Sequence, residues 1–215
     1  MATEITVVDY DAGNLFSVAR ALEHCGATVT LSGDPDVVRQ SSKILLPGVG
    51  AFGDGMAALA RRGLDTAVKE AVARGNLLLG VCLGMQFLLD GSEEFGEHTG
   101  LGLVPGQVVQ IPVTRRDGAP QKIPHIGWNE LAFPEGRGSW TGTPLQGLPS
   151  GAAMYFVHSF MAAPLQPAHV TAECVYGGHR ITAVVGHDNV WGAQFHPEKS
   201  GTDGLRFLKS FVNLP

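Results

Sequence analysis

Short strand-like runs in the first half of the chain, most of them apolar on both faces, alternate with stretches of helical spacing, and this alternation restricts the fold more than any other feature. The runs are Ile5 to Asp9, Thr28 to Leu31, Lys43 to Leu46 and Asn76 to Val81. Between them, Asn14 to Glu23 places Leu15, Val18, Ala19 and Leu22 on one helical face, and Ala51 to Arg61 and Leu64 to Arg74 carry the same period. Gly33-Asp34-Pro35 and Pro47-Gly48 stop the second and third strands. A sheet with one solvated face would alternate apolar and polar residues. Strands apolar throughout, separated by helices, instead predict an α/β fold with an open, mostly parallel central sheet and helices on both faces.

Beyond Gly100 the texture changes. Runs at Gly106 to Val113, Met154 to Val157, Val170 to Val175, Arg180 to Val185 and Val190 to Gln194 follow one another through short turns, which predicts a mixed or antiparallel extension of the sheet. Pro112 to Pro124 and Phe133 to Pro149 read as surface loops, and Thr202 to Val212 as a closing helix. No composition shift marks a boundary, so residues 1–215 are expected to form one domain. With 44% hydrophobic residues the chain can bury a core unaided. Its 15 basic and 20 acidic side chains, net charge -5, argue against nucleic acid or an anionic membrane as a partner. The amino end lacks a basic segment before its first apolar run, and the three cysteines, Cys25, Cys82 and Cys174, are odd in number and far apart. A cytoplasmic setting with free thiols is therefore expected.

The chemistry concentrates in Leu77-Leu78-Leu79-Gly80-Val81-Cys82-Leu83-Gly84-Met85-Gln86. Glycines two before and two after a reactive side chain, between an apolar strand and a helix expected from about Gly84 to Asp90, match a nucleophile elbow. Neither flanking position has room for a Cβ, and the cysteine itself must adopt a strained backbone. A thiol at the amino end of a helix meets the positive end of the macrodipole, which suits its anion. A buried structural cysteine beside two packing glycines is the other reading. A nucleophile needs a base and an orienting acid. Phe195-His196-Pro197-Glu198 offers both, because residues two apart in extended chain share a side, so Glu198 can hold one nitrogen of His196 and leave the other for the sulfur. A plain His-Pro surface turn is the alternative.

Acyl chemistry also needs an oxyanion site. Pro47-Gly48-Val49-Gly50 follows a strand of the same sheet, so the amides of Val49 and Gly50, with that of Leu83 after the nucleophile, can supply it, unless this is an ordinary strand-to-helix loop. The sequence has no Walker loop, no Cys-x-x-Cys, no His-Glu-x-x-His and no dinucleotide-binding fingerprint. No metal site and no cofactor are expected.

In order and spacing, Leu46 to Gly50, Gly80 to Gln86 and Gln194 to Glu198 resemble the class I (triad) glutamine amidotransferases. Asp9 to Leu15, His125-Ile126-Gly127-Trp128-Asn129 and Tyr155 to Ser159 are similar to the branch that supplies ammonia for imidazole glycerol phosphate synthesis. The resemblance implies a flavodoxin-like amidotransferase fold. It makes Cys82 the nucleophile on the glutamine amide, His196 the base and Glu198 its support, with glutamate and ammonia released through a thioester. It implies a (β/α)8-barrel cyclase as partner in a heterodimer, an ammonia channel, and an oxyanion loop at Pro47 to Gly50 that rearranges when the cyclase docks. Gln86 and the segment His158-Ser159-Phe160 would hold the amino-acid end of glutamine, although Gln86 could equally be bonded to a loop. Asn14 and Trp128 would line the docking face near the ammonia exit, with core packing as the other reading of Trp128. Glutaminases of the anthranilate, aminodeoxychorismate and carbamoyl phosphate systems tend to carry His where Met85 stands, and a catalytically idle binding domain would not need nucleophile, base and acid together. Asp11 departs from the pattern, where glycine is the expected residue, and the loops Arg115 to Gln121 and Gly136 to Gly147 look long.

Overall fold

The computed structural model describes residues 2–11 and 13–215; Ala12 of the Asp9 to Leu15 motif lies outside them. In chain order the elements are β1 (Thr3–Val8), α1 (Leu15–His24), β2 (Ala27–Ser32), α2 (Pro35–Gln40), β3 (Lys43–Gly48), α3 (Phe52–Arg61), α4 (Leu64–Ala73), β4 (Leu77–Cys82) and α5 (Leu83–Gln86). There follow β5 (Gly91–Ser92), β6 (His98–Thr99), β7 (Gly106–Gln110), β8 (His125–Glu130), β9 (Ala153–His158), β10 (Phe160–Pro164), β11 (Val170–Tyr176), β12 (His179–His187), β13 (Val190–Ala193) and α6 (Gly201–Asn213).

Seven strands form the main sheet in the order β11-β12-β13-β4-β3-β1-β2. The five from β13 to β2 run parallel, while β12 and β11 are added antiparallel. Both faces of β3 and most of β1 and β4 are dry, as their apolar runs require, whereas the edge strand β2 exposes Thr28, Thr30 and Leu31. Ile5, Val7, Leu45, Leu79 and Val81 face a core layer with Leu22, Phe207 and Phe211, and Val8, Ile44, Leu46 and Leu78 face one with Phe52, Leu59 and Val68. Successive residues pointing to opposite faces produce this division.

The extension departs from expectation in part. β11 and β12 continue the main sheet as read, but β7 pairs with β10 and β5 in a separate four-stranded sheet, and β9 pairs with β8 in a two-stranded ribbon. Three further differences have local causes. Pro35 does more than end β2: it opens a short helix, because the Asp34 side chain accepts from the Asp36 amide at 2.8 Å and caps it. The helix after Cys82 starts at Leu83 and ends at Gln86 rather than running to Asp90. After Gln86 the bonding tightens to three residues back, Leu88 N–H to the Met85 carbonyl and Leu89 N–H to the Gln86 carbonyl, and the carbonyls of Phe87, Leu88 and Leu89 then accept from amides of Leu101, Gly102, Leu103 and Val104. The stretch from Phe133 to Pro149 contains no strand or helix, yet it is not wholly a surface loop: Trp140 is buried and its indole donates to the Thr171 carbonyl at 2.9 Å.

Parallel strands end on one side. Consequently the loop after β1, Pro47 to Gly50 at the end of β3, which runs through Gly48 where Pro47-Gly48 was expected to stop it, Cys82 closing β4 and Gln194 to Glu198 after β13 all meet at the carboxyl edge, where ligands of open α/β sheets bind.

Candidate active site

Register brings the pieces together. β3 pairs with β4 so that Gly48 lies beside Cys82, and β13 pairs with β4 so that Ala193 lies beside Val81. Cys82 has φ 55 and ψ -114, a positive-φ conformation that costs an L residue roughly 1–3 kcal/mol. Its neighbours make that turn possible. A Cβ on Gly80 would come within 2.4 Å of the Gly84 carbonyl oxygen, one on Gly84 within 1.9 Å of the Leu46 oxygen, and one on Gly48 within 2.6 Å of the Gly84 nitrogen. All three clashes are with backbone, so the elbow glycines are obligatory by sterics.

Against the thiol stands the ring of His196, whose Nδ1 donates to Glu198 Oε1 at 2.9 Å, leaving Nε2 for the sulfur. The ring and the carboxylate are both almost fully buried. Burial alone would oppose a charged ring, but hydrogen bonds to Cys82 and Glu198 and the negative charge of each outweigh it and push His196 up to about 9. The imidazolium form is thus held at neutral pH beside a sulfur able to carry the matching negative charge. The segment is anchored: the His196 amide donates to the Tyr155 carbonyl at 2.9 Å, and Ser200 Oγ donates to the His196 carbonyl at 2.6 Å.

Cys82 and His196 open into a cavity of about 310 Å³ that is also lined by Val49, Gly50, Leu83, Gln86, His158, Ser159 and Phe160. Each oxyanion and substrate residue read from the sequence therefore reaches the same cavity. Leu83 opens α5, so its N–H is a first-turn donor that no helical carbonyl takes. Gln86 is bonded within the protein as well, with Nε2 donating to the Phe160 carbonyl and to Gln194 Oε1, both at 3.0 Å. Both donors are occupied, so only its oxygen is left for a ligand donor such as an ammonium group.

Three lining residues escaped the sequence as site residues: Glu94, Pro124 and Val157. Glu94 Oε2 accepts from the Phe52 amide at 2.6 Å, which caps α3 immediately after the oxyanion loop and leaves a carboxylate on the cavity wall. Its place after a short loop has no local signature. His125 also lacked one, yet it belongs to a buried chain. His158 Nδ1 meets the Phe160 carbonyl at 2.8 Å and so must be the protonated nitrogen, His158 Nε2 then accepts from His125 Nδ1 at 3.1 Å, and His125 Nε2 faces the amide of Asn129 at 3.4 Å. Burial, chiefly, holds His158 down at about 3 and His125 at about 4, so both rings stay neutral. His158 is committed to this chain, in keeping with His196 as the base.

Asn14 borders a small hollow with His196 and Glu198. Trp128 is 58% exposed on β8, edge-on to Tyr155, which removes core packing as its role. Asp11 has φ 68, the left-handed region that glycine enters freely and Asp tolerates; its amide donates to Asp9 Oδ1 at 3.0 Å and its carboxylate pairs with Arg62 at 2.9 Å. The departure from glycine therefore keeps the backbone shape that glycine would supply. Cys25 donates to the Leu205 carbonyl at 3.3 Å, and Cys174 is buried in β11 with its thiol pushed up to about 12, chiefly by that burial.

A family model described as glutamine amidotransferase class-I matches residues 6–214. The chain is 44% identical over 212 residues to imidazole glycerol phosphate synthase subunit HisH 1 of Legionella pneumophila (strain Lens), covering 99% of this chain and 100% of that protein. It is 48% identical over 216 residues to imidazole glycerol phosphate synthase subunit HisH of Halobacterium salinarum, covering 97% and 92%. In backbone it is similar to a chain in the structure of PurLQS from Thermotoga maritima, with TM-score 0.75 at 23% identity and 99% of each chain covered, a likeness of fold.

Proposed function

This chain belongs to the class I glutamine amidotransferase family, and from that premise we propose that it is the glutaminase subunit of imidazole glycerol phosphate synthase, delivering ammonia to a cyclase subunit in histidine biosynthesis. The observation that carries the reading is the meeting of Cys82 and His196 at one cavity, from two distant places in the chain, with Glu198 bonded to the other nitrogen of the ring. Its volume lies at the small end of ligand pockets, as suits one amino acid.

In the proposed reaction Cys82 Sγ attacks the side-chain amide carbon of glutamine. The amides of Val49, Gly50 and Leu83 receive the oxyanion, a contribution worth about 10²–10³ in turnover for each donor. The His196 imidazolium gives its proton to the departing nitrogen, and ammonia leaves. A water then loses a proton to His196 and attacks the thioester carbonyl, and the C–S bond breaks with its electron pair returning to sulfur. Glu198 keeps the ring oriented and favours its charged form throughout. The Gln86 oxygen and the Glu94 carboxylate are the acceptors available for the α-ammonium group, and the backbone of His158-Ser159-Phe160 lines the same end.

The proposed partner is a (β/α)8-barrel cyclase, docked on the carboxyl edge of the sheet in a cytoplasmic heterodimer. Exposed Phe16, Val49, Ile126 and Trp128, with exposed Asn14 two residues before Phe16, support that face. No helix among the described residues is long and apolar enough to cross a membrane. Gly50 has φ 99 with open space where a Cβ would be, which supports a loop able to turn its peptide when the partner binds.

The test is reconstitution with the cyclase. Glutamine-dependent product should vanish in Cys82→Ala while turnover with ammonium salt survives; product from glutamine in that variant would remove Cys82 from its role. A glutamine-analogue electrophile should label Cys82 in the loaded complex, and a chain left unlabelled would be a binding domain instead.

A further inference from the structure

A buried polar chain runs from Phe160 to the sulfur of Cys82, and its polarity is dictated from one end. The Phe160 carbonyl oxygen can only accept. Gln86 must therefore turn Nε2 toward it, and because the same nitrogen also donates to Gln194, the Gln194 atom that it meets must be Oε1, at 3.0 Å. The other half of the Gln194 amide, Nε2, is left facing Cys82, 4.0 Å from Sγ. Reversing Gln194 would set two NH2 groups against each other at Gln86, and reversing Gln86 would set two oxygens together at Phe160. The orientation is over-determined.

The placement is equally constrained. Because Ala193 pairs with Val81, the next residue of each strand brings Gln194 beside Cys82. The Gln194 side chain is 0% exposed, and among the described residues sulfur is the one partner of its Nε2. A buried N–H aimed at sulfur favours the protonation state that accepts more strongly, the thiolate over the thiol.

We propose that Gln194 is a catalytic residue, a hydrogen-bond donor that holds Cys82 as its anion, and that Gln86 fixes the Gln194 amide in the donating orientation. The inference rests on the reading of Cys82 as nucleophile given above. It adds a second donor to the sulfur beside His196. That donor acts twice in the cycle, on the resting thiolate and on the sulfur leaving the thioester, when the C–S electron pair returns to Sγ and a negative charge reappears there. In the thioester itself the sulfur bears no charge and the interaction weakens, so the contribution is differential rather than uniform.

The experiment measures the rate of Cys82 alkylation by iodoacetamide against pH, read from the mass of the Cys82 peptide because Cys25 and Cys174 are also thiols. Wild type, Gln194→Leu and Gln86→Leu are compared on the full chain. The pH midpoint should rise by ~1 unit in Gln194→Leu, the shift expected for one lost hydrogen bond to an anion, and by less in Gln86→Leu. In parallel, the side-chain amide resonances of Gln194 in wild type should titrate with the alkylation midpoint and move when Cys82 is alkylated. That measurement needs no variant and stands should Gln194→Leu fail to fold. An unshifted midpoint in folded Gln194→Leu, or Gln194 amide resonances indifferent to the titration, would overturn the proposal. Glutamine turnover of the wild-type complex separates the two readings: its absence would remove the glutaminase assignment, whereas normal turnover with an unshifted midpoint would remove only Gln194.

Discussion

Strain at the nucleophile predicts that the ordinary penalty for glycine shrinks or reverses. Compare Cys82→Gly with Cys82→Ala. Both delete the thiol, so the lost contacts to His196 and Gln194 cancel between them, and the comparison isolates one Cβ. At an unstrained buried position glycine is the less stable of the two by about 1.5 kcal/mol, from its greater freedom in the unfolded chain and the loss of one buried carbon. At φ 55, ψ -114 alanine keeps a strain of roughly 1–3 kcal/mol that glycine relieves. The balance therefore lies between about 0.5 kcal/mol against glycine and about 1.5 kcal/mol in its favour. For a chain of this length each kcal/mol moves Tm by about 2–4 °C. Urea unfolding of the two isolated variants, followed by far-ultraviolet circular dichroism, gives the difference directly. A glycine variant less stable than the alanine variant by about 1.5 kcal/mol, the ordinary penalty, would mean that the elbow stores no strain.

The other expectations follow from the same geometry. Gly84→Ala places a Cβ 1.9 Å from the Leu46 oxygen and should lower Tm by more than about 10 °C or abolish soluble expression, whereas Gly50→Ala meets nothing within 4 Å and should cost only the roughly 1–3 kcal/mol of its positive φ; equal melting temperatures would refute the contrast. His196 sits above its ordinary value, so the stability that its proton contributes is fully present below about 6.5 and is lost as pH rises through about 9. Glutaminase turnover of the complex should fall on that same alkaline limb, and Glu198→Gln should move the limb to lower pH; a limb that stays in place would separate Glu198 from the ring. His125 and His158, held down at about 4 and about 3 chiefly by burial, titrate near 6.5 once unfolded. Stability should decline as pH falls from 6.5 toward 4, by up to about 2.7 kcal/mol per unit for two protons. Urea melts in half-unit steps would detect it, and a flat profile would show that the rings are not held neutral.

Residues adjacent in the chain were enough to reveal the elbow, because the requirement that Gly80 and Gly84 lack a Cβ and that Cys82 take a positive φ is local sterics. The His196 and Glu198 pair was legible from its two-residue spacing, although Pro197 to Lys199 forms a 3-10 turn instead of the extended chain expected; the turn still brings ring and carboxylate to 2.9 Å. The dry faces of β1, β3 and β4 were legible from continuous apolar runs, and with them the parallel sheet. Tertiary structure decided what hydrophobicity cannot encode, namely which strand lies beside which. β7 and β9 have the same apolar texture as β11 and β12, yet they pair outside the main sheet. α5 stops at Gln86, where the bonding tightens to three residues back and the next carbonyls, Phe87 to Leu89, turn to the amides of Leu101 to Val104. Glu94, the His125 to His158 chain and the exposure of Trp128 had no signature for a comparable reason. Gln194 is the sharpest instance: it stood in plain view within a quoted motif, but its amide finds partners 108 and 112 residues away, and only the register of β13 on β4 aims it at the sulfur. Sterics between neighbours is written along the chain; the direction of a buried hydrogen bond is set by the acceptor at its far end, and that acceptor is supplied by the fold.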